Sequence, residues 1–250
     1  MKVLATYSLK GGVGKTAAAV SLAFLAARSG APTLVWDLDP QGAASYSFRI
    51  KPKVKGGAKA LVTGKRELDD VIKGTDYSSL DLVPADFSYR YMDLELDAVK
   101  KPTRRIRRAL REVDGDYTWA FVDGPPGISL VSEAIVGAAD ALLVPLVPTT
   151  LSLRTLEQLD ALVADAGRKR LQVLPFFSMV DRRRKLHREI VETLPKEHPS
   201  LLRTAIPASA DVERISQRRA PIAAFAPRST AATASTALWE EVQQRLGATS

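Results

Sequence analysis

Met1-Lys-Val-Leu-Ala-Thr-Tyr-Ser-Leu-Lys10-Gly-Gly-Val-Gly-Lys15-Thr-Ala-Ala-Ala-Val20 decides how the rest of the chain is read. An apolar run, Val3–Tyr7, leads into a loop holding Gly11, Gly12 and Gly14, and an alanine-rich stretch, Ala17–Arg28, leads out. Strand, glycine loop and helix in that order build a phosphate-binding loop. Glycines let successive backbone N–H groups converge on phosphate oxygens where a side chain would collide. The helix N-terminus adds partial positive charge. Lys15 is placed to reach β- and γ-phosphates, and the Thr16 hydroxyl to ligate Mg²⁺. The match to G-x-x-x-x-G-K-T is loose, because Leu9 stands where the first glycine would be. A lysine at position 10 is not needed to shape such a loop.

Outward from the loop, short apolar runs alternate with amphipathic ones. Strands are expected over Lys2–Ser8, Pro32–Asp37, Leu80–Ala85, Trp119–Asp123, Ala141–Pro148, Gln172–Val180 and Arg203–Pro207. Helices are expected over Lys15–Ser29, Glu67–Lys73, Thr103–Val113, Leu130–Gly137, Leu151–Gly167, Arg184–Leu194, Asp211–Gln217 and Thr230–Leu246. Gly42–Arg66 reads as an irregular surface segment. The strands lack polar alternation, as strands buried on both faces do. The expected fold is therefore α/β: one doubly wound, mostly parallel sheet with helices on both faces. The 250 residues show no repeat and no clear linker, so a single domain over 1–250 is the economical reading.

Composition narrows the chemistry. With no cysteine, disulfides, thiol catalysis and cysteine-ligated metal are excluded. His187 and His198 are too few for a multi-histidine site and read as surface residues. The N-terminus is broken by glycine too early for a signal peptide. No apolar run reaches the roughly 18 residues that span a bilayer. A cytoplasmic protein is the default expectation. The 36 basic and 28 acidic residues leave a net charge of +8, which favours polyanionic partners.

Two carboxylate motifs follow the loop. The second strand ends Trp36-Asp37-Leu38-Asp39-Pro40-Gln41-Gly42, which reads either as a capped turn or as carboxylates facing a ligand crevice. Trp119-Ala-Phe-Val-Asp123-Gly-Pro-Pro-Gly127 describes a central strand delivering a carboxylate towards Mg²⁺.

Lys10-Gly-Gly-Val-Gly-Lys-Thr16 resembles the deviant Walker A motif of the ParA/MinD family of ATPases, and the resemblance runs along nearly the whole chain. The short, Soj-like ParA type is the most similar subgroup. The resemblance implies an ATP sandwich dimer in which Lys10 crosses to the partner's phosphates. It implies that Lys10, Lys15 and Asp39 are catalytic, with Asp39 positioning the attacking water. The loop residues from Lys10 through Gly11, Gly12, Val13, Gly14, Lys15 and Thr16 to Ala17 would hold ATP. Thr16, Asp37 and Asp123 would serve Mg²⁺. Thr204-Ala-Ile-Pro207-Ala-Ser209 resembles the family's adenine segment, which puts Pro207 and Ser209 in the base pocket. Three departures stand out: Ala17 replaces the usual second threonine, Ala208-Ser209 replaces Arg-Asn, and Asp211-Val-Glu-Arg-Ile replaces L-x-E-A.

The resemblance further implies non-specific binding of double-stranded DNA by the homodimer on the nucleoid, and a ParB-like or cargo-adaptor protein that stimulates hydrolysis. Lys100–Arg111 holds seven basic residues in twelve and no acid. Further basic clusters are Lys51–Arg66 and Arg182–Arg188. The candidate DNA contacts are Arg182, Arg183, Arg184, Arg214, Arg218 and Arg228; each cluster also reads as a solvated face. No helix-turn-helix domain is expected ahead of the loop. Alternatives are a MinD-like membrane-associated ATPase and an ATP-dependent scaffold with negligible hydrolysis. The C-terminal Leu238, Val242 and Leu246 recur at i, i+4, i+8, which favours packing on the core over membrane attachment. An iron–sulfur ATPase of the same fold is disfavoured by the absence of cysteine. Tyr89 and Tyr91 are candidates to cover the nucleotide cleft.

Overall fold

The computed structural model describes residues 1–165, 167–168 and 170–247. Seven strands form one sheet: β1 (Lys2–Thr6), β2 (Thr33–Asp37), β3 (Lys73–Gly74), β4 (Leu80–Val83), β5 (Trp119–Asp123), β6 (Ala141–Leu146) and β7 (Gln172–Phe177). Their spatial order is β3-β4-β2-β5-β1-β6-β7. Every pairing is parallel except β3 with β4 at one edge. All residues of β2 and β6 are buried, as strands covered on both faces must be.

The described helices are α1 (Lys15–Arg28), α2 (Ala43–Ser47), α3 (Gly57–Thr63), α4 (Met92–Asp97), α5 (Arg105–Arg111), α6 (Leu130–Ala138), α7 (Leu151–Asp165), α8 (Lys185–Glu197), α9 (Ala210–Arg218), α10 (Ile222–Phe225) and α11 (Thr230–Gly247). Two cores cover the two faces of the sheet. One packs α3 to α7 through Leu61, Leu96, Ile106, Val131 and Leu156. The other packs α1, α9 and α11 through Leu22, Ile215, Leu238 and Val242. Trp239 of α11 meets Trp119 and Phe121 of β5 with ring centroids 5.0 and 5.7 Å apart. The doubly wound expectation is thus met.

Several local expectations are corrected. Arg203–Pro207 runs beside β7, with Ile206 N–H donating to Phe177 O at 2.8 Å, but it does not become a strand. The Glu241 carboxylate takes the N–H groups of Arg203 and Thr204, and Pro207 has none to give. Glu67–Lys73 is not a helix. It holds one 3₁₀ turn, Asp69–Val71, and then enters β3, with Leu68 N–H donating to Glu112. Gly42–Arg66 is not irregular. It contains α2 and α3, which begin after left-handed Gly42 and Gly56, and it is tied down by Asp86 and Ser88. His187 is buried, not superficial, and its Nδ1 accepts the Asp181 N–H at 3.1 Å.

Gly137 near the end of α6 meets a constraint that helix propensity alone would miss. A Cβ there would stand 2.6 Å from the carbonyl oxygen of Thr103. Alanine for glycine in an open helix gains about 1 kcal/mol. Gly137→Ala is expected instead to destabilise the fold by about 1–3 kcal/mol in urea unfolding. A variant more stable than the parent would contradict this packing.

Candidate nucleotide-binding site

The sheet register assembles the site. Thr6, Asp123 and Asp37 lie in one row across β1, β5 and β2, at the carboxyl ends of three adjacent parallel strands. Ligands of open α/β sheets bind beyond those ends, where the strand order reverses. The chain leaves β1 through the glycine loop and enters α1 at Lys15. Gly14 is the position where this turn demands glycine. Its φ is +96°, and a Cβ would stand 2.8 Å from Ser178 Oγ. No neighbour lies within 4 Å of a Cβ built on Gly11 or Gly12, so their backbone faces open space.

Asp37 and Asp123 are fully buried. Ser45 donates both its N–H and its hydroxyl to Asp37 Oδ2, each at 2.7 Å. Thr6 Oγ1 donates to Asp123 Oδ1 at 2.8 Å. Asp37 Oδ1 and Asp123 Oδ2 have no hydrogen-bond partner among the described residues. Burial, reinforced by the neighbouring Asp123 charge, pushes the Asp37 carboxyl up to about 7. Burial likewise raises Asp123 to about 6, against the opposing pull of the Thr16 and Thr6 hydroxyls and of Lys15. Lys15 is itself buried, which lowers its pKa, while the Asp123 and Asp39 charges act the other way. Two buried carboxyls with open oxygens beside a hydroxyl and an ammonium are short of positive charge. That donor set fits a hard divalent cation. Among the described residues no three His, Asp or Glu side chains form a metal cage, so such an ion would need water and phosphate to complete its shell.

Of these residues, Lys15 and Thr16 line a cavity of about 390 Å³, while Asp37 and Asp123 stay buried. Gly11, Gly12, Gly14, Lys15, Thr16, Ala17 and Asp39 line it, as do Pro207, Ala208 and Ser209. Asp39 Oδ1 accepts the Gln41 N–H at 2.9 Å within a turn, and Asp39 is among the residues lining the cavity. Ser209 caps α9 by accepting the Asp211 N–H, and it lines the cavity as well. The parallel bridge between Val180 and Pro207 holds Pro207 beside the segment that follows β7. Val13 is buried beneath the loop. Lys10 is exposed and does not line its own chain's cavity.

Sequence reasoning missed Ser178, Met179, Phe176 and Pro126 in the cavity wall. Ser178 and Met179 fall inside the expected strand Gln172–Val180, but β7 ends at Phe177 and leaves them in the loop beyond it. Tyr89 is corrected: it is buried and donates to Pro84 O at 3.3 Å. Tyr91 is exposed, and neither tyrosine lines the cavity. The six candidate DNA arginines are all exposed. Arg214 and Arg218 stand four residues apart on α9, with Arg214 paired to Asp211. Arg183 is paired to Asp181, and Arg228 lies in the turn before α11.

The sequence profile of the AAA domain family matches residues 1–173. The chain is 31% identical over 199 residues to the chromosome partitioning protein ParA of Caulobacter vibrioides, covering 77% of this chain and 74% of that one. The chain belongs to the ParA/MinD family. The sporulation initiation inhibitor protein Soj of Bacillus subtilis is 28% identical over 247 residues, 96% of this ParA-family chain and 98% of Soj. In fold, the chain is similar to apo McdA from Cyanothece, with a TM-score of 0.84 at 21% identity over 98% of this chain and 99% of that one. It is equally similar to cobyrinic acid a,c-diamide synthase from Mycobacterium smegmatis with bound ADP and magnesium, with a TM-score of 0.84 at 23% identity over 100% and 97%.

The buried carboxyls give a pH signature. Their folded pKa values lie above the ordinary value of 3.8, so folding takes up protons between about pH 4 and 7 and stability falls as pH rises through that window. Asp37→Asn removes one of these groups. Its stability relative to the parent should rise by about 1 kcal/mol or more between pH 5 and pH 8 in urea unfolding without Mg²⁺. Parallel stability curves would contradict the assignment.

Proposed function

We propose that the chain, read as one domain over 1–250, is an ATP- and Mg²⁺-dependent molecular switch that dimerises on ATP and binds DNA without sequence preference. Hydrolysis then releases it, so that DNA or another cargo is moved over the nucleoid in the cytoplasm. The observation that carries this reading is a cavity lined by the glycine loop, buried Lys15 and Thr16, with the unpartnered carboxyl oxygens of Asp37 and Asp123 buried at the ends of the adjoining strands.

In the proposed mechanism, backbone N–H groups of Gly11–Gly14 and the start of α1 bind the phosphates. Lys15 holds the β- and γ-phosphates, and Ala17 offers only its N–H to the α-phosphate. When bound, Mg²⁺ neutralises charge on the phosphate oxygens. Thr16 and Asp123, with Asp37 behind, would hold it. Asp39 Oδ2 makes no hydrogen bond with a described residue, so it is free to orient a water. That water attacks the γ-phosphorus, the bond to the ADP oxygen breaks, and phosphate leaves. Lys10, exposed on the loop, supplies positive charge to the partner's phosphates across a dimer. Pro207 and Ser209 border the base. A ParB-like or cargo-adaptor protein sets the rate of hydrolysis.

The arginines at 182–184, 214, 218 and 228 would supply phosphate contacts to DNA, with affinity falling steeply with salt. The membrane-bound alternative gains no support from α11, whose Leu238, Trp239, Val242 and Leu246 are buried in the core. Among the described residues no helix is long and apolar enough to cross a membrane. The scaffold alternative predicts equal, negligible turnover with and without Asp39.

Two measurements test the proposal. Phosphate release under saturating ATP and Mg²⁺ should fall about a hundredfold or more in Asp39→Ala. Unchanged rates would remove the hydrolytic role. In fluorescence anisotropy on a non-specific duplex, ATP with Mg²⁺ should produce salt-sensitive binding by a dimer that Lys10→Ala abolishes. DNA binding indifferent to nucleotide and to Lys10 would contradict the switch.

A further inference from the structure

A second and larger concavity, of about 1340 Å³, lies between the Lys100–Arg111 segment and helices α6 and α7. All seven basic residues of that segment line it. None of them is ion-paired to a described carboxylate, and Glu133 is the one described acid in the wall. Arg168 also lines it, but its guanidinium is engaged by the carbonyl oxygens of Gly137 and Ala139 at the end of α6. The remaining wall mixes uncharged polar Thr103 and Gln158 with apolar Ile128, Val136 and Ala161. Ile128 is a large side chain left 63% exposed. The groove therefore pairs uncompensated positive charge with open apolar surface.

We infer that this groove docks an acidic, amphipathic segment of a partner protein. The inference rests on the reading above that the chain works with a partner, and it names that partner's chemistry. Carboxylates on one side of the segment would meet Arg104, Arg108 and Arg111, which are exposed. Apolar residues on its other side would cover Ile128 and Val136, as helix-in-groove recognition requires. A DNA backbone could satisfy the arginines but has no apolar face to place on Ile128. One loop borders both the groove and the nucleotide cavity. Within the loop between β5 and α6, Pro126 lines the nucleotide cavity and Ile128 lines the groove. Between them, Gly127 N–H donates to Ser8 O, at the root of the glycine loop, at 3.2 Å. An occupant pressing on Ile128 therefore acts on a loop that the nucleotide also touches, so groove affinity and nucleotide affinity are linked.

Anisotropy with labelled peptides of about 18 residues tests this on the full chain. One peptide carries Leu at i, i+3, i+4, i+7 spacing with Glu elsewhere. A second has the same composition with scrambled order, and a third has Lys for Glu. Without nucleotide, the amphipathic acidic peptide should bind about tenfold tighter than the scramble, and the Lys peptide should not bind. Arg104→Glu/Arg108→Glu should weaken binding at least tenfold, and Ile128→Asp should erase the preference over the scramble. Both sites are surface positions, and unchanged urea midpoints establish that the variants fold. Equal affinity for the two acidic peptides, or binding unaffected by either variant, overturns the inference. Duplex DNA binding lost in Arg104→Glu/Arg108→Glu while peptide binding persists also overturns it, and assigns the groove to nucleic acid. A fluorescent ATP analogue titrated into the same samples keeps the two readings apart. Failure of the parent chain to bind it would count against the nucleotide switch and leave the peptide result standing.

Discussion

The structure turns on two carboxyl groups that the fold buries without neutralising. Asp37 and Asp123 face each other across β2 and β5, fully enclosed, each with one oxygen satisfied and one open. Buried negative charge of this kind is expensive unless a cation meets it. The pair therefore tolerates protons or a divalent cation, and the surrounding parts make sense as the means of bringing one in. The Thr16 hydroxyl faces Asp123, Lys15 is held in the same enclosure, and the glycine loop above offers backbone N–H groups that would draw in phosphate together with its metal. Gly14 passes so close to Ser178, just beyond β7, that a side chain there would collide with the serine hydroxyl.

Much of this was legible in the sequence because each feature was local. A short apolar strand followed by Gly-Lys-Thr and an alanine-rich helix leaves little freedom, and the chain folds as that pattern demands. Asp37 and Asp123 ended runs of buried residues, which placed them at strand ends. What escaped was decided by partners distant in sequence. Arg203–Pro207 has the apolar character of a strand, but Glu241, far along the chain, captures its N–H groups. Gly42 and Gly56 read as loop residues, yet they start short helices whose positions depend on Asp37, Asp86 and Ser88. His187 has a basic neighbourhood in sequence that suggests solvent, and only the fold shows it turned inward to Asp181. The cavity wall from Ser178 and Met179 depends on β7 lying beside the glycine loop.

The positive charge is divided in a way that composition does not reveal. Arg183 and Arg214 are paired locally, whereas the Lys100–Arg111 run lines a groove with little opposing charge. The loop between β5 and α6 stands between that groove and the nucleotide cavity. It is short, rich in proline and glycine, and tied to Ser8 by the Gly127 N–H.

If the unpartnered carboxyl oxygens and the glycine loop together hold a nucleotide with its metal, the two ligands must bind cooperatively. Isothermal titration of ATP into the chain, with Mg²⁺ and with EDTA, measures this. Mg²⁺ should strengthen binding at least tenfold in the parent, and Asp123→Asn should abolish that dependence. ATP binding of equal strength with and without Mg²⁺, or a Mg²⁺ effect that survives Asp123→Asn, would contradict it.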